Sequence, residues 1–253
     1  MAKHFIILIG GPGKFQGCDK AHDQTWTNYI VPLQLAAKND LYNKAADETV
    51  HWVVYEPPYR NRWLDDSIIT KAEAQQSDGY WLHNTRKRAA EKVKTSGASN
   101  YLHRIKLFAS ARGITYQGIS TPQEFWDYLE TFPKNSISRV YYSGHASDTA
   151  LLLSLAHDST CGPFASKSDY IDIKDINDNN KLIDRFITSS PRASKFFGCY
   201  TSGFAREWHK VFGVPAEGAL HKIDFGSIDR PSSYNNVLER LQQTGKPDWK
   251  TYR

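Results

Sequence analysis

The sequence predicts an α/β fold in which a mainly parallel sheet lies between helices on both faces. Short apolar runs rich in β-branched and aromatic residues alternate along the chain with longer segments of helical period. The first run, Lys3 to Ile9, is apolar at most positions, as expected for a strand buried on both faces. No repeat or low-complexity linker interrupts this alternation. We therefore expect residues 1–253 to form one doubly wound domain.

The composition is that of a globular protein. Hydrophobic residues make up 40% and aromatic residues 13% of the chain, enough for the core of a large α/β domain. The net charge of +5 is too small by itself to indicate a nucleic-acid partner. The longest N-terminal apolar run, Phe5 to Ile9, is too short for a signal-peptide core or a membrane span. We expect a cytoplasmic protein without a membrane partner, and export by a route that uses no signal peptide stays open.

The segment after the first strand contains two motifs that could bind a ligand. Gly10 to Lys14 is a glycine-rich turn, but it lacks the spacing of a phosphate-binding loop, so a tight turn is preferred to a nucleotide site. Cys18 and His22 are four residues apart and could share a metal on one helix face. No second Cys/His cluster supports this alternative, and we predict no metal. Because this segment should lie at the carboxyl edge of the sheet, Asp19 is a candidate substrate contact.

The region up to Gly113 is expected to contain one strand, one long loop and a basic helical segment. Thr49 to Tyr55 predicts the strand, and Tyr59 to Gly79 has no clear period, which indicates a surface loop. His83 to Gly113 is helical and basic, with a break at Gly97 that predicts two helices or a kinked one. Basic helices can bind nucleic acid, acidic partners or lipid headgroups. No aromatic residues alternate with these charges, so a solvated outer face is the preferred interpretation.

The central region continues the alternation of strands and helices. Ile114 to Ile119 predicts a strand, and Thr121 begins a helix, with a proline and then an acid in the first turn. Ile137 to Tyr142 predicts the next strand. Ala150 to Leu155 is a strand or a buried helix, which its length does not decide.

Four aspartates, Asp169, Asp172, Asp175 and Asp178, recur at intervals of three residues. They could bind calcium or a basic substrate side chain. The segment lacks the glycine and the bidentate glutamate of an EF-hand loop, so helix capping in a solvated loop is the preferred interpretation.

The C-terminal third predicts five further elements and a frayed end. These are a helix at Lys181–Ile187, a strand at Phe196–Gly198, a helix at Phe204–Phe212 that ends at Gly213, a strand at Ala219–Phe225, a closing helix at Tyr234–Gln243 within the C-terminal segment 233–253, and a frayed Gly245–Arg253.

Two of the predicted strands end on glycine and then a chemically reactive side chain, His145 in one case and Cys199 in the other. If these strands are parallel neighbours, imidazole and thiol emerge at the same edge, as a Cys/His nucleophile pair requires. The helix that follows Cys199 is expected to favour the thiolate through its positive N-terminal end. A buried structural cysteine is the alternative, and Cys18 and Cys161 are rival nucleophiles that follow no buried strand.

The residues Tyr141 to His145 and Phe196 to Cys199 resemble the motifs of the caspase-like cysteine proteases, which include caspases and metacaspases. The separation of 54 residues (199 − 145) between His145 and Cys199 is close to the spacing of about 50 in that family. The resemblance implies a three-layer caspase-like fold and a cysteine endopeptidase without a cofactor, acting on a protein or peptide substrate.

The resemblance also implies the roles of individual residues. Cys199 would attack the scissile carbonyl and His145 would transfer protons, while the backbone N–H groups of Ala146 and Cys199 would form the oxyanion hole. The family usually has glycine where this chain has Ala146. It has aspartate or glutamine where this chain has Phe197, so no substrate preference is carried over. Asp148 and Tyr200, which follow the two catalytic candidates, are further candidate substrate contacts. A catalytically inactive relative that serves as a binding or scaffold protein is the alternative function.

Overall fold

The structure is a computed structural model that describes residues 3–12, 26–27, 29–30, 47–72, 80–154, 156–157, 163–164, 169–223 and 249–253. Its strands are β1 (Lys3–Ile9), β2 (Glu48–Tyr55), β3 (Thr115–Ile119), β4 (Ile137–Ser143), β5 (His145–Ala146), β6 (Ala150–Leu152), β7 (Ala156–His157), β8 (Pro163–Phe164), β9 (Tyr170–Asp172), β10 (Ser194–Phe197), β11 (Ala216–Ala219) and β12 (Trp249–Tyr252). Its helices are α1 (Pro57–Ser67), α2 (Tyr80–Thr95), α3 (Tyr101–Ala111), α4 (Pro122–Glu130), α5 (Ile173–Asp178), a 3₁₀ helix (Asn180–Arg185) and α6 (Ser202–Phe212).

Seven strands form the central sheet in the order β12-β11-β10-β4-β1-β2-β3. All neighbouring pairs are parallel except β11 and β12. The chain moves outward from β1 to β3 and then returns to place β4 on the other side of β1. This reversal puts a topological switch point between β1 and β4, where ligand sites of open α/β sheets commonly lie. Strands β5, β6 and β9 form a small antiparallel sheet directly after β4.

The sheet lies between two apolar cores, which confirms the predicted three-layer α/β arrangement. Alternate residues of β1 point to opposite faces: Phe5, Ile7 and Ile9 pack with helices α1 to α3, whereas Ile6 and Leu8 pack with α4 to α6. All five side chains are fully buried. Burial on both faces explains why this strand is apolar without alternation. No helix of the described residues is long and apolar enough to cross a membrane.

Most of the predicted elements are present. The basic segment forms two helices separated near Gly97, which has a φ of 80°. Thr121 caps α4 by accepting a hydrogen bond from the Glu124 N–H, and Gly213 ends α6 in the left-handed conformation. The segment after Ala150, left undecided between strand and helix, begins with strand β6. The segment predicted as a helix at Lys181–Ile187 is the 3₁₀ helix.

Three predictions about the fold are wrong. The segment Tyr59 to Gly79 begins with helix α1 instead of a loop; a charged pair buried on α1, described below, obscures the helical pattern. The strand predicted at Ala219–Phe225 lies at Ala216–Ala219, a run of small and polar residues that the pattern of bulky apolar residues does not identify as a strand. The end of the chain is not frayed at residues 249–252, which pair with β11. The helix predicted at Tyr234–Gln243 lies outside the described residues.

A buried carboxylate joins the three helices α1, α2 and α3. Asp66 accepts hydrogen bonds from Arg62 Nε at 3.1 Å, Arg86 Nε at 2.6 Å and the Tyr101 hydroxyl at 2.7 Å. Asp66 and both arginines are buried. Arg86 therefore does not belong to the solvated outer face that was predicted for the basic helices. The cluster fixes the spacing of the three helices, since each of them supplies a charged or hydroxyl group to it.

Replacing Asp66 with asparagine tests how strongly this cluster stabilises the fold. The change removes the negative charge that two buried guanidinium groups share, so we expect the free energy of unfolding to fall by about 3 to 5 kcal/mol. Equilibrium urea denaturation measures the loss. Asp178→Asn is the matched control, because Asp178 pairs with Lys174 on the surface, where a lost pair costs under about 1 kcal/mol. Equal losses in the two variants would contradict the prediction.

Two imidazoles lie against the α4 side of the sheet. His4 Nδ1 and His51 Nε2 are 3.0 Å apart and share a hydrogen bond, and His51 Nδ1 lies 2.9 Å from the Tyr128 hydroxyl. Phe132 packs against both rings. Burial, with a smaller contribution from repulsion by His4, lowers the pKa of His51 to about 4. Burial also lowers the pKa of His4.

This histidine pair predicts a pH dependence of stability. An unfolded histidine has a pKa of about 6.5, so the unfolded chain binds more protons at this position between about pH 6.5 and about pH 4. The free energy of unfolding should therefore decrease as the pH falls through that window. We expect His51→Gln to reduce this decrease, measured by urea denaturation at a series of pH values. His103→Gln, on α3 away from the pair, should retain the wild-type profile, and an unchanged profile in His51→Gln would refute the assignment.

Candidate functional site

The two turns that carry His145 and Cys199 lie side by side at the carboxyl edge of the sheet. Strands β4 and β10 are parallel neighbours, with Tyr141 opposite Lys195 and Ser143 opposite Phe197. The turns that follow them therefore leave the sheet at the same edge. The predicted adjacency of the two strands is confirmed. We call this region, formed by the turns after β1, β4 and β10, the rim.

Glycines allow the turns of the rim to touch through their backbones. The Gly144 N–H donates to the Phe197 carbonyl at 3.1 Å, and the Gly10 N–H donates to the Ser143 carbonyl at 3.0 Å. A Cβ atom at Gly144 would lie 3.3 Å from the Gly10 Cα, and one at Gly198 would lie 2.5 Å from the Ala146 Cβ. The second distance is too short for any real Cβ atom, and a Cβ at Gly144 would also lie 2.3 Å from the Tyr142 hydroxyl oxygen. Glycine is therefore required at these positions by close packing.

His145 is held by two tyrosines. The hydroxyl of Tyr29 forms a hydrogen bond with His145 Nε2, and the two rings meet edge to face. The hydroxyl of Tyr142 donates to the carbonyl of His145 at 2.6 Å. Tyr29 is fully buried, so it fixes the orientation of the half-buried imidazole. Tyr29 was not predicted from the sequence, because nothing in its local pattern distinguishes it from a core tyrosine.

Cys199 is a free thiol that is half buried beside the same edge. Burial raises the pKa of the thiol, and the backbone hydrogen bonds and the charge of Lys222 offset this only in part. The sulfur donates to the Ile223 carbonyl at 3.8 Å. Helix α6 begins three residues later, at Ser202. The prediction that the helix N-terminus favours the thiolate is wrong in this geometry, because desolvation outweighs it.

The backbone after Cys199 is constrained. Tyr200 has a φ of 59°, in the left-handed region that bulky residues rarely adopt. Its N–H donates to the His221 carbonyl at 3.1 Å. The Thr201 hydroxyl donates to the Phe196 carbonyl at 2.6 Å and accepts from the Ala219 N–H at 3.0 Å. These bonds hold the turn in a conformation that costs on the order of 1–3 kcal/mol.

The two backbone groups predicted for the oxyanion hole both lie at the rim. The Ser147 N–H donates to the Ala150 carbonyl, so these two residues form a hydrogen-bonded pair. Hydrogen-bonded and non-hydrogen-bonded pairs alternate along an antiparallel ladder, and the next pair, Ala146 with Leu151, is therefore non-hydrogen-bonded. The Ala146 N–H therefore points away from β6, toward the open edge of that small sheet. Among the described residues, no backbone carbonyl accepts a hydrogen bond from the Cys199 N–H.

A cavity of about 390 Å³ opens beside these groups. It is lined by Ala146, Ser147, Asp148, Tyr200, Ser202 and Leu220. The structure thus brings Asp148 and Tyr200, both candidate substrate contacts, together with Ala146. Asp148 also has a structural role, because its carboxylate accepts a hydrogen bond from the Gly203 N–H at 2.7 Å in the first turn of α6. The third candidate, Asp19, lies outside the described residues.

The described residues give no support to the two alternative ligand sites, the anion site at Gly10 to Lys14 and the metal site at Cys18 and His22. The Gly10 and Gly11 N–H groups donate to the Ser143 and Leu153 carbonyls, which leaves neither for a phosphate; Gly13 and Lys14 lie outside the described residues. Cys18, His22 and Cys161 lie outside them as well. In the part of the chain that the structure describes, no group of three or more potential ligands could hold a metal.

The aspartate series caps a helix, as preferred from the sequence. Asp172 accepts hydrogen bonds from the Lys174 and Asp175 N–H groups at the start of α5. The Asp175 carboxylate accepts one from the Asp172 N–H, which completes a capping box. Asp169 instead accepts a hydrogen bond from the hydroxyl of Tyr55.

Comparisons with known proteins identify no relative. The chain matches no protein-family model, no curated protein and no solved structure. The function must therefore be inferred from the rim itself.

Close packing of the two turns can be tested with a double-mutant cycle. Gly198→Ala places a methyl group 2.5 Å from the Ala146 Cβ and 3.0 Å from the Gly144 carbonyl, so we expect a loss of about 1–3 kcal/mol in the free energy of unfolding. In an Ala146→Gly background one of the two clashes is absent, and the loss should be smaller by about 0.5 kcal/mol or more. Urea denaturation of the four proteins measures the coupling. Strictly additive effects would show that the turns do not touch.

Proposed function

We propose that the protein is a caspase-like cysteine endopeptidase that uses His145 and Cys199 to cleave a protein or peptide substrate. The observation that supports this is the parallel pairing of β4 with β10, which brings an imidazole and a free thiol to one edge of the sheet. The site adjoins the switch point between β1 and β4. A cytoplasmic location belongs to the same proposal.

In the proposed reaction, His145 takes the proton of the Cys199 thiol, and the sulfur attacks the scissile carbonyl carbon. The N–H groups of Ala146 and Cys199 stabilise the negative oxygen of the tetrahedral intermediate. The protonated imidazole then gives its proton to the leaving amine as the C–N bond breaks. Water hydrolyses the thioester and restores the thiol. Tyr29 is a positioning residue, since it acts through the ring of His145.

The cavity beside Ala146 supports a role in substrate recognition. Tyr200 and Leu220 are each 43% exposed and supply apolar surface, and Asp148 supplies an exposed carboxylate. A substrate chain that presents its carbonyl to the Ala146 N–H would place a neighbouring side chain there. One oxygen of this carboxylate, Oδ1, accepts a hydrogen bond from the Gly203 N–H.

A catalytically inactive binding or scaffold protein is the second candidate function. The observation that favours it is the environment of the thiol, where burial raises the pKa and the Ile223 carbonyl accepts the hydrogen bond. Burial thus favours the thiol over the thiolate, and a thiol is a poor nucleophile. The two candidates differ in whether His145 can activate Cys199.

Labelling with iodoacetamide and with an electrophilic peptide separates these functions. The enzyme should label at Cys199 in preference to Cys18 and Cys161, and His145→Ala should slow that labelling by about a hundredfold or more, the range of general-base catalysis. Peptide mapping by mass spectrometry identifies the labelled thiol. Slow and equal labelling of all three cysteines, unaffected by His145→Ala, would support the scaffold.

Cleavage of a peptide library tests the activity directly. Cys199→Ala should abolish hydrolysis and leave the melting temperature nearly unchanged, because the thiol is only half buried. A variant with Cys18→Ser and Cys161→Ser is the matched control and should retain activity. Full hydrolysis by Cys199→Ala would refute the assignment.

A further inference from the structure

A second cavity, of about 540 Å³, lies between α1 and α3. Its apolar wall consists of Trp63 and Leu64 from α1 and Leu102 from α3. Leu64 is 63% exposed, an unfavourable position for a leucine that no partner covers. We call this cavity the α1–α3 groove. No residue of β4, β10 or their turns lines it, so it is separate from the rim.

The α1–α3 groove is held open by buried contacts beneath it. Asp66 joins both helices through Arg62 and the Tyr101 hydroxyl. The ring of Trp63 stands perpendicular to that of Tyr101, with 5.0 Å between the ring centres. At the end of the groove, the Tyr59 hydroxyl donates to the Gly10 carbonyl at 2.9 Å. Because these groups are buried and fixed, the groove is formed before any ligand binds.

The charge of the groove is positive. Among the described residues that line the groove, Glu56 is the one carboxylate. Glu56 is largely buried, accepts a hydrogen bond from the Tyr116 hydroxyl and forms ion pairs with Arg60 and Lys106. About half of each cationic side chain remains exposed, 54% and 49% respectively. The described contact of Arg60 with Glu56 uses only Nη2, and a guanidinium carries five N–H donors. Two cations against one carboxylate leave a net positive charge at the mouth.

A further hydrogen-bond donor lies at the groove. His103 accepts a hydrogen bond from the Ser99 N–H at its Nδ1, which places the proton of a neutral ring on Nε2 as a donor. The groove thus combines an apolar wall with two cations whose charge Glu56 offsets only in part.

We propose that the α1–α3 groove binds a small ligand that has an apolar or aromatic body and one anionic head group, a carboxylate, sulfonate or phosphate. The body covers Leu64, Leu102 and the edge of Trp63, and the head group contacts Arg60 and Lys106. The volume lies within the range of about 300–1,000 Å³ that is typical of small-molecule sites. This binding is independent of the proposed peptidase function.

The proposal is tested by titrating the full chain with anilinonaphthalene sulfonate, a fluorescent dye with an aromatic body and one sulfonate. We expect saturable binding at one site. The neutral dye phenylnaphthylamine has the same rings without the charge and should bind at least about tenfold more weakly, as expected for the loss of one charge-assisted contact. Equal affinity for the two dyes would show that the groove does not select an anion.

Matched variants locate the binding. Lys106→Gln should lower the affinity for the sulfonate dye by about tenfold. Lys92→Gln removes the same charge from an exposed position of α2 and should leave the affinity unchanged. Leu64→Ser should lower the affinity for both dyes. Leu107 lies on the exposed surface of α3 outside the groove, so Leu107→Ser should leave both affinities unchanged. Leu64 is exposed, so this variant remains informative if Lys106→Gln is unstable. Binding that survives both Lys106→Gln and Leu64→Ser would overturn the proposal.

Discussion

The close approach of three glycine turns determines the geometry of the rim. The turns pack closely at Gly10, Gly144 and Gly198, and a Cβ atom at Gly198 would lie only 2.5 Å from the Ala146 Cβ. The contact brings the ends of β1, β4 and β10 together at the switch point of the sheet. Without it, His145 and Cys199 would still follow neighbouring strands, but side chains would separate their turns. The parallel sheet makes the two strands neighbours, and the glycines allow a backbone hydrogen bond between Gly144 and Phe197.

Buried polar groups hold the helices against one face of this sheet. Asp66 receives hydrogen bonds from groups on α1, α2 and α3, so the positions of these helices depend on one another. Tyr59 and Pro58 then connect α1 to the turn after β1 through the Gly10 carbonyl and Gly11. Helix α1 therefore contacts both the α1–α3 groove and the rim, although no residue lines both.

The sequence predicted those features that depend on local pattern. Runs of apolar residues identified the strands that form the sheet centre, and Thr121 and Gly213 identified helix ends through their own backbone chemistry. Helix α1 was missed because its buried face contains Arg62 and Asp66, which a hydrophobic pattern counts as exposed. Tyr29 and the raised pKa of Cys199 were also missed, since both arise from contacts between residues distant in the chain.

The burial of the Cys199 thiol has a different meaning under each proposed function. The Ile223 carbonyl contacts the sulfur, and the His221 carbonyl holds the Tyr200 N–H in a left-handed turn. In a scaffold protein these contacts would be permanent, and the strain at Tyr200 would have no use. In a peptidase, the substrate carbonyl must approach the same sulfur and the adjacent Cys199 N–H, so the Ile223 contact must give way. Strained backbone is frequent at functional sites, so the left-handed Tyr200 beside the thiol directs the test to this turn, where the two proposed functions differ.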